Sequence, residues 1–339
     1  MPEKRDKQSL SRRRFVQLAG AGAAVGLGAA SWYKGPYESG LRASVFIAKA
    51  ERYDGPLEDV LRRGLAELGW GSAQLRGKKV LLKPNLVEPD RSRGHVNTHP
   101  LLVRAVAETF LRLGAARVTV GEGAGHVRDS LWVLEESGLS EVLLEDRLPF
   151  VDLNTDAFFR VPNRGRLTRL KWLALPAALR EADLIVSMPK LKTHHWTGVT
   201  LSMKNLFGLM PGNVYGWPKN VFHQEGIHES IVDICATVAP GLAIVDGIVG
   251  MEGDGPIMGT PRQAGVLVLG ANLPAVDATC ARLMGVDPRK IPHLRAASGW
   301  LGPIRESHIA QRGENWRRLR QHFQLLDFIP AQRGIRLAS

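Results

Sequence analysis

Cysteine is nearly absent from this chain of 339 residues: only Cys235 and Cys280 occur. Two thiols cannot supply the four that hold an iron–sulfur cluster, so a cysteine-ligated cluster is not expected within one chain. The same scarcity excludes a zinc ribbon and a CxxC redox pair. Both cysteines stand in apolar helical contexts, where separate buried thiols are expected rather than a disulfide. Beyond residue 31 there is no apolar run near the roughly 20 residues that a membrane span needs. Nor is there a basic stripe interleaved with aromatics, so nucleic acid is not an expected partner. Acidic residues are in deficit, 33 against 45 basic, for a formal net charge of +12. A balance of that sign attracts anions in general.

What is present begins with an address. Ser11-Arg12-Arg13-Arg14-Phe15-Val16-Gln17, followed by a Gly/Ala-rich apolar stretch to Ala30, reads as a twin-arginine export signal over residues 1–31. That route carries folded proteins. The expected location is therefore periplasmic or otherwise extracytoplasmic, with the Tat translocase as export partner and a protein soluble after export. Residues 32–43 read as a linker, 44–300 as an α/β domain, and 301–339 as a basic C-terminal helix and tail. Arg312, Arg317, Arg318, Arg320, Arg333 and Arg336 are expected to be solvated there.

Between residues 44 and 300, apolar β-rich runs alternate with helical patterns, which predicts an α/β fold: a mostly parallel sheet covered by helices, in one large domain or two lobes. Strands are predicted at 44–48, 80–82, 117–120, 184–187, 242–245 and 265–269. A helix is predicted from Thr98, taken as its cap, to Leu113, with Leu102, Val106 and Phe110 on one face and Gly114 just past its end. Ile227, Ile231, Ile234, Cys235 and Val238 mark a second helix. Residues 146–172 read as a small antiparallel excursion or a lid.

Four of the predicted strands lead into polar segments: Lys83-Pro84-Asn85, Gly121 to His126, Pro189 to His195, and Asp246-Gly247. Ligands of open α/β sheets bind beyond the carboxyl ends of strands, where adjacent loops converge. Lys190, His194 and Lys204 are the candidate catalytic groups. Lysines serve as point charges for phosphate or carboxylate and, when desolvated, as bases or nucleophiles, whereas histidine titrates near neutrality. Lys192 is expected to point to solvent. Lys83, Asn85, Glu122, Gly123 and Asn205 are the candidate ligand-binding residues. His194, Asp246 and Glu252 offer a mixed nitrogen and oxygen donor set for a divalent metal such as nickel, zinc or iron, with His223 and His228 as further nitrogen donors.

In these segments the chain resembles the family known as domain of unknown function 362, from about Val80 to Gly285. The resemblance rests on the ordered set Lys83-Pro84-Asn85, Thr98-His99-Pro100, Gly121-Glu122-Gly123, Pro189 to His194, Ser202 to Gly208, and Val245-Asp246-Gly247 with Met251 to Pro256. It implies no settled activity. Some members carry an appended ferredoxin-like module whose cysteines this chain lacks. More distantly the chain is similar to nickel-pincer lactate racemases, in which lysine and histidines hold the cofactor. The expected function is an exported enzyme binding an anionic small molecule or cofactor with Lys/His acid–base or metal chemistry. Two alternatives stand beside it: a non-catalytic carrier or maturation factor for a periplasmic redox enzyme, and a cell-envelope binding module.

Overall fold

The computed structural model describes residues 40–125 and 129–338. The twin-arginine segment, most of the linker and His126 lie outside the described residues. The strands are β1 (Ala43–Lys49), β2 (Lys79–Pro84), β3 (Arg117–Glu122), β4 (Phe150–Asp152), β5 (Phe158–Pro162) and β6 (Trp172–Pro176), followed by β7 (Leu184–Met188), β8 (Lys190–His194), β9 (Gly198–Thr200), β10 (Leu242–Glu252), β11 (Thr260–Gly270) and β12 (Ile309–Gly313).

Alternating apolar side chains make a sheet that is buried on both faces. In β1, Val45 and Ile47 enter one core while Phe46 and Ala48 enter the other; in β10, Ala243 and Val245 divide from Leu242 and Ile244 in the same way. The first core is closed by the helices Ile227–Val238 and Leu273–Leu283, the second by Leu57–Glu67 and Pro100–Arg112. Each fully buried side chain of leucine or phenylalanine size contributes about 1.5–3 kcal/mol to holding these layers together.

One ten-stranded sheet runs in the order β12-β1-β11-β10-β7-β2-β3-β4, with β8 and β9 branching from β10. The pairs β10–β7, β7–β2, β2–β3, β3–β4 and β1–β12 are parallel, and β11 is antiparallel to both of its neighbours. The excursion expected at 146–172 is in part β4, on the edge of the main sheet, and in part the antiparallel pair β5–β6.

Three segments differ from their sequence reading. Pro189 to His195 is not a loop: β8 runs parallel to β10 and antiparallel to β9. Nor does β10 end at Asp246; it continues to Glu252 past an irregularity between Gly247 and Val249. The third is 301–339, expected as helix and tail, which instead contributes β12, paired with β1. A strand edge with unmet backbone groups is satisfied by such an addition.

The helix Pro100–Arg112 is capped by His99, whose Nδ1 accepts from Leu101 N, and not by Thr98. The Thr98 hydroxyl is engaged elsewhere. It accepts from Asn85 N at 2.8 Å and donates to Met188 O at 2.7 Å, tying together the ends of β2 and β7. Past Met188 the two strands part. β8 follows β10, whereas β2 stops at Pro84, and the candidate site lies where they diverge.

Candidate functional site

A pocket of about 130 Å³ opens beyond the carboxyl ends of β2 and β3, against β8, β9 and the segment from Lys204 to His223. Among the described residues four lysines line it, Lys83, Lys192, Lys204 and Lys219, but only one carboxylate, Glu122. Lys83, Lys192 and Lys219 are almost wholly buried and Lys204 is partly buried.

Lys83 and Glu122 form the floor. The Lys83 ammonium donates to Glu122 Oε2 at 2.6 Å, to Pro84 O at 2.7 Å and to Asn205 Oδ1 at 3.1 Å. Glu122 also accepts from the backbone N–H groups of Leu86 and Gly123, both at 2.9 Å. Asn205 is turned by its own amide, which donates to Lys83 O and Ser187 Oγ. Burial pushes the Lys83 pKa down while Glu122 opposes that shift. Two glycines permit this closeness. A Cβ on Gly208 would collide with the Glu122 carboxylate and Lys83, and one on Gly123 would stand 2.9 Å from Gly208 O.

The other lysines have few polar partners or none. Lys192, expected in solvent, is fully buried and donates to Val96 O at 2.9 Å and Pro256 O at 3.2 Å. Burial, reinforced by neighbouring lysines, holds its pKa well below the ordinary lysine value. Lys219 donates to Asn154 Oδ1. Burial brings Lys219 down to about 8, with Glu122 opposing and Lys83 adding to the shift. Lys204 sits 3.9 Å from the Phe207 ring centroid and, among the described residues, has no hydrogen-bond or ion-pair partner. Burial and the nearby Lys83 bring it down to about 7.

His194 also lines the pocket. Its Nδ1 accepts from Trp196 N at 2.9 Å, so the neutral ring carries its proton on Nε2. Burial and the lysine charges keep its pKa well below the ordinary histidine value. It therefore offers an N–H donor at neutral pH.

Two polar atoms of the pocket are unmet. Asn85 Oδ1 and Thr200 Oγ1 are buried with no hydrogen-bond partner among the described residues, on side chains 8% and 4% exposed. Buried polar groups are normally paired, and leaving one unmet costs about 1–3 kcal/mol. Both stand in the lining of the lysine pocket. The Asn85 amide can present either its oxygen or its nitrogen.

Lys190 and Asp246 do not belong to this pocket. They form a sealed pair at 2.7 Å, both side chains 0% exposed. Asp246 also accepts from Tyr53 Oη and His99 N, and Lys190 donates to Tyr53 Oη and Gly94 O. Every donor direction of Lys190 is engaged, which fits a structural node and not a catalytic amine. Glu252 accepts from Gln324 N at 2.9 Å and lies 3.8 Å from Arg262. The proposed donor set His194, Asp246 and Glu252 is thus dispersed: one atom is spent on a backbone N–H and two carboxylates on other partners. Of the further nitrogen donors, His223 lines the pocket, while His228 faces His293 with Nδ1 atoms 3.3 Å apart. Among the described residues no group of three or more His, Cys, Asp or Glu side chains is arranged to hold a metal ion. These residues do not fit the expected divalent metal.

Lys219 and Thr200 escaped the sequence reading. Lys219 has a detectable mark only in three dimensions, a left-handed φ of 68° on a residue with a side chain, a conformation that costs energy and often accompanies sites.

Residues 80–282 match the model of a family described as domain of unknown function (DUF362). The chain belongs to the DUF362 family. All four pocket lysines, Glu122, Asn85, Thr200 and His194 lie inside the matched region. A thylakoid-associated protein of Synechocystis sp. is 31% identical to this DUF362 protein over 235 residues, which are 67% of this chain and 70% of the relative. Among solved structures, the lactate racemase apoprotein from Thermoanaerobacterium thermosaccharolyticum matches with a TM-score of 0.41 and 15% identity, over 64% of this chain and 55% of that one. A protein from Thermotoga maritima matches with a TM-score of 0.39 and 15% identity, over 69% and 59% of the two chains. The DUF362 chain thus spans little more than half the length of these solved structures, and a likeness of this degree carries no chemistry across.

Proposed function

We propose that this DUF362 protein is an exported enzyme that holds a small anion in the lysine pocket, with Lys204 exchanging a proton with it. The observation that carries the reading is the mismatch inside the pocket. Four lysines face one carboxylate, and two buried polar atoms have no partner among the described residues. An anion at that point would pair with the ammonium of Lys204, which has no hydrogen-bond or ion-pair partner among the described residues, accept from Thr200 and from the His194 Nε2–H, and raise the lysine pKa values that burial has lowered. Export rests on residues 1–31 alone, and the basic balance of the chain agrees with an anionic partner.

Because Lys204 and Lys219 titrate at about 7 and about 8, anion binding near neutrality is expected to take up protons. Calorimetric titration of the full chain with oxalate and with inorganic phosphate, in buffers of different ionisation enthalpy, measures both affinity and uptake. Thr200→Ala is expected to weaken binding by about tenfold or more, as a lost hydrogen bond to a charged ligand does. The Thr200 hydroxyl and the Asn85 Oδ1 have no partner among the described residues to lose in the unliganded protein. Absence of binding heat with both anions would refute the reading. Tight retention of an anion with no turnover of any bound species would move it to the carrier alternative.

A further inference from the structure

We infer that the ligand of this pocket is a short-chain acid bearing a ketone or aldehyde, and that the Lys204 amine condenses with that carbonyl to form an imine. The inference rests on the anion-binding reading and adds to it the class of substrate and a covalent step.

The geometry separates Lys204 from its neighbours. Lys83 is bound to a carboxylate and two oxygens, Lys192 to two backbone carbonyls and Lys219 to the Asn154 side chain. An ammonium held by acceptors cannot present a lone pair. Lys204 is the pocket lysine without such a tether among the described residues, resting against the Phe207 ring. Among the described residues, the charged and titratable groups that line the pocket with it are Lys83, Lys192, Lys219, Glu122, His194, His195 and His223, and His293 also feels its charge. A predominantly cationic, partly desolvated setting keeps a share of Lys204 as the neutral amine near neutral pH, the form that attacks a carbonyl, while the protonated share pairs with a simple anion. The value of about 7 agrees with that arrangement.

The remaining groups suit the rest of such an acid. Thr200 and the His194 N–H can donate to a carboxylate, and Lys192 and Lys219 supply charge beside it. A volume of about 130 Å³ accommodates a short-chain acid of this kind. In the step itself the amine lone pair attacks the carbonyl carbon, forming the C–N bond as the C=O π pair moves to oxygen. Two proton transfers from nitrogen to that oxygen then allow it to leave as water. The nitrogen lone pair closes the C=N bond. Amine and carbonyl give imine and water, with no oxidant or reductant.

The test is reductive trapping. The full chain is incubated with glyoxylate or pyruvate and cyanoborohydride near neutral pH, and the product is read by intact mass and peptide mapping. One reduced adduct per chain is expected, mapped to Lys204. Its labelling should exceed that of surface lysines by about a hundredfold, since an ordinary lysine is almost entirely protonated at that pH. Oxalate, which has the charge but no ketone or aldehyde, should block it. Lys204→Arg should abolish the adduct while leaving the chain folded by circular dichroism. Labelling scattered over surface lysines, or absent at Lys204 in the wild type, overturns the imine. In that event oxalate binding decides separately whether the anion pocket survives: binding leaves the earlier reading intact, and no binding removes both.

Discussion

Glu122→Gln tests the electrostatics of the site most directly. The substitution keeps the shape but removes the pocket's only carboxylate among the described residues, leaving the Lys83 ammonium almost wholly buried without a counter-charge. Breaking such a pair by removing one partner costs about 3–5 kcal/mol. The lysine has an escape, because it can lose its proton. With an unfolded-state pKa of about 10.4 and about 1.36 kcal/mol per unit, deprotonation at about pH 7 costs at most about 4.6 kcal/mol, and at about pH 9 about 1.9 kcal/mol. The glutamine amide adds a penalty independent of pH, since its nitrogen cannot accept from Leu86 N or Gly123 N as a carboxylate oxygen does. In the variant the folded lysine binds fewer protons than the unfolded one, so stability rises with pH across this window. The deficit relative to the wild type should therefore shrink by up to about 2.7 kcal/mol from about pH 7 to about pH 9. Urea unfolding at a series of pH values measures it. Lys83→Met in the Glu122→Gln background should remove the part of the pH dependence that Lys83 contributes, leaving that of the other buried lysines. A deficit that is below about 1 kcal/mol, or that grows with pH, would refute the reasoning.

Gly208→Ala should displace Glu122 and Lys83 together, because the added methyl meets both; the loss is checked by melting temperature and by oxalate titration, both of which should fall. Asp246→Asn should destabilise the fold by about 3–5 kcal/mol, as it strands buried Lys190, yet leave phosphate and oxalate affinity within about twofold because the pair lies outside the pocket. Anion affinity itself should be greatest below about 7, where Lys204 is protonated, and should decline as pH passes about 8 and Lys219 also loses its proton; affinity that is flat across this range would contradict the assignment. Cys235 and Cys280 are buried and unpaired, and burial raises both thiol pKa values. A disulfide-exchange reagent should therefore modify neither until the chain is unfolded.

Much of the architecture was legible because it depends on local pattern. Apolar alternation and helical spacing are imposed by side-chain direction along the chain, so all six predicted strands and both predicted helices are present. The strand ends carrying Lys83 and Glu122 could be placed together from the parallel order alone, as the carboxyl ends of adjacent parallel strands share one edge. Reading Lys190-Leu191-Lys192-Thr193-His194 as a loop obscured its alternation, in which Leu191 enters the core and the residues at 190, 192 and 194 share the opposite side.

The amino-acid sequence by itself determined an α/β chain with a basic balance, only two thiols, and lysine, histidine and carboxylate groups concentrated at strand ends. Only the tertiary structure decided which lysine is tied to a carboxylate and which stands without a hydrogen-bond or ion-pair partner among the described residues. Lys190 and Lys192 are two residues apart on one strand, yet the first meets Asp246 and the second lines the pocket. Lys204 is distinguished by the partners it lacks among the described residues. The protonation and reactivity of a buried amine follow from desolvation and from the charges within a few ångströms, and those neighbours come from segments far apart along the chain.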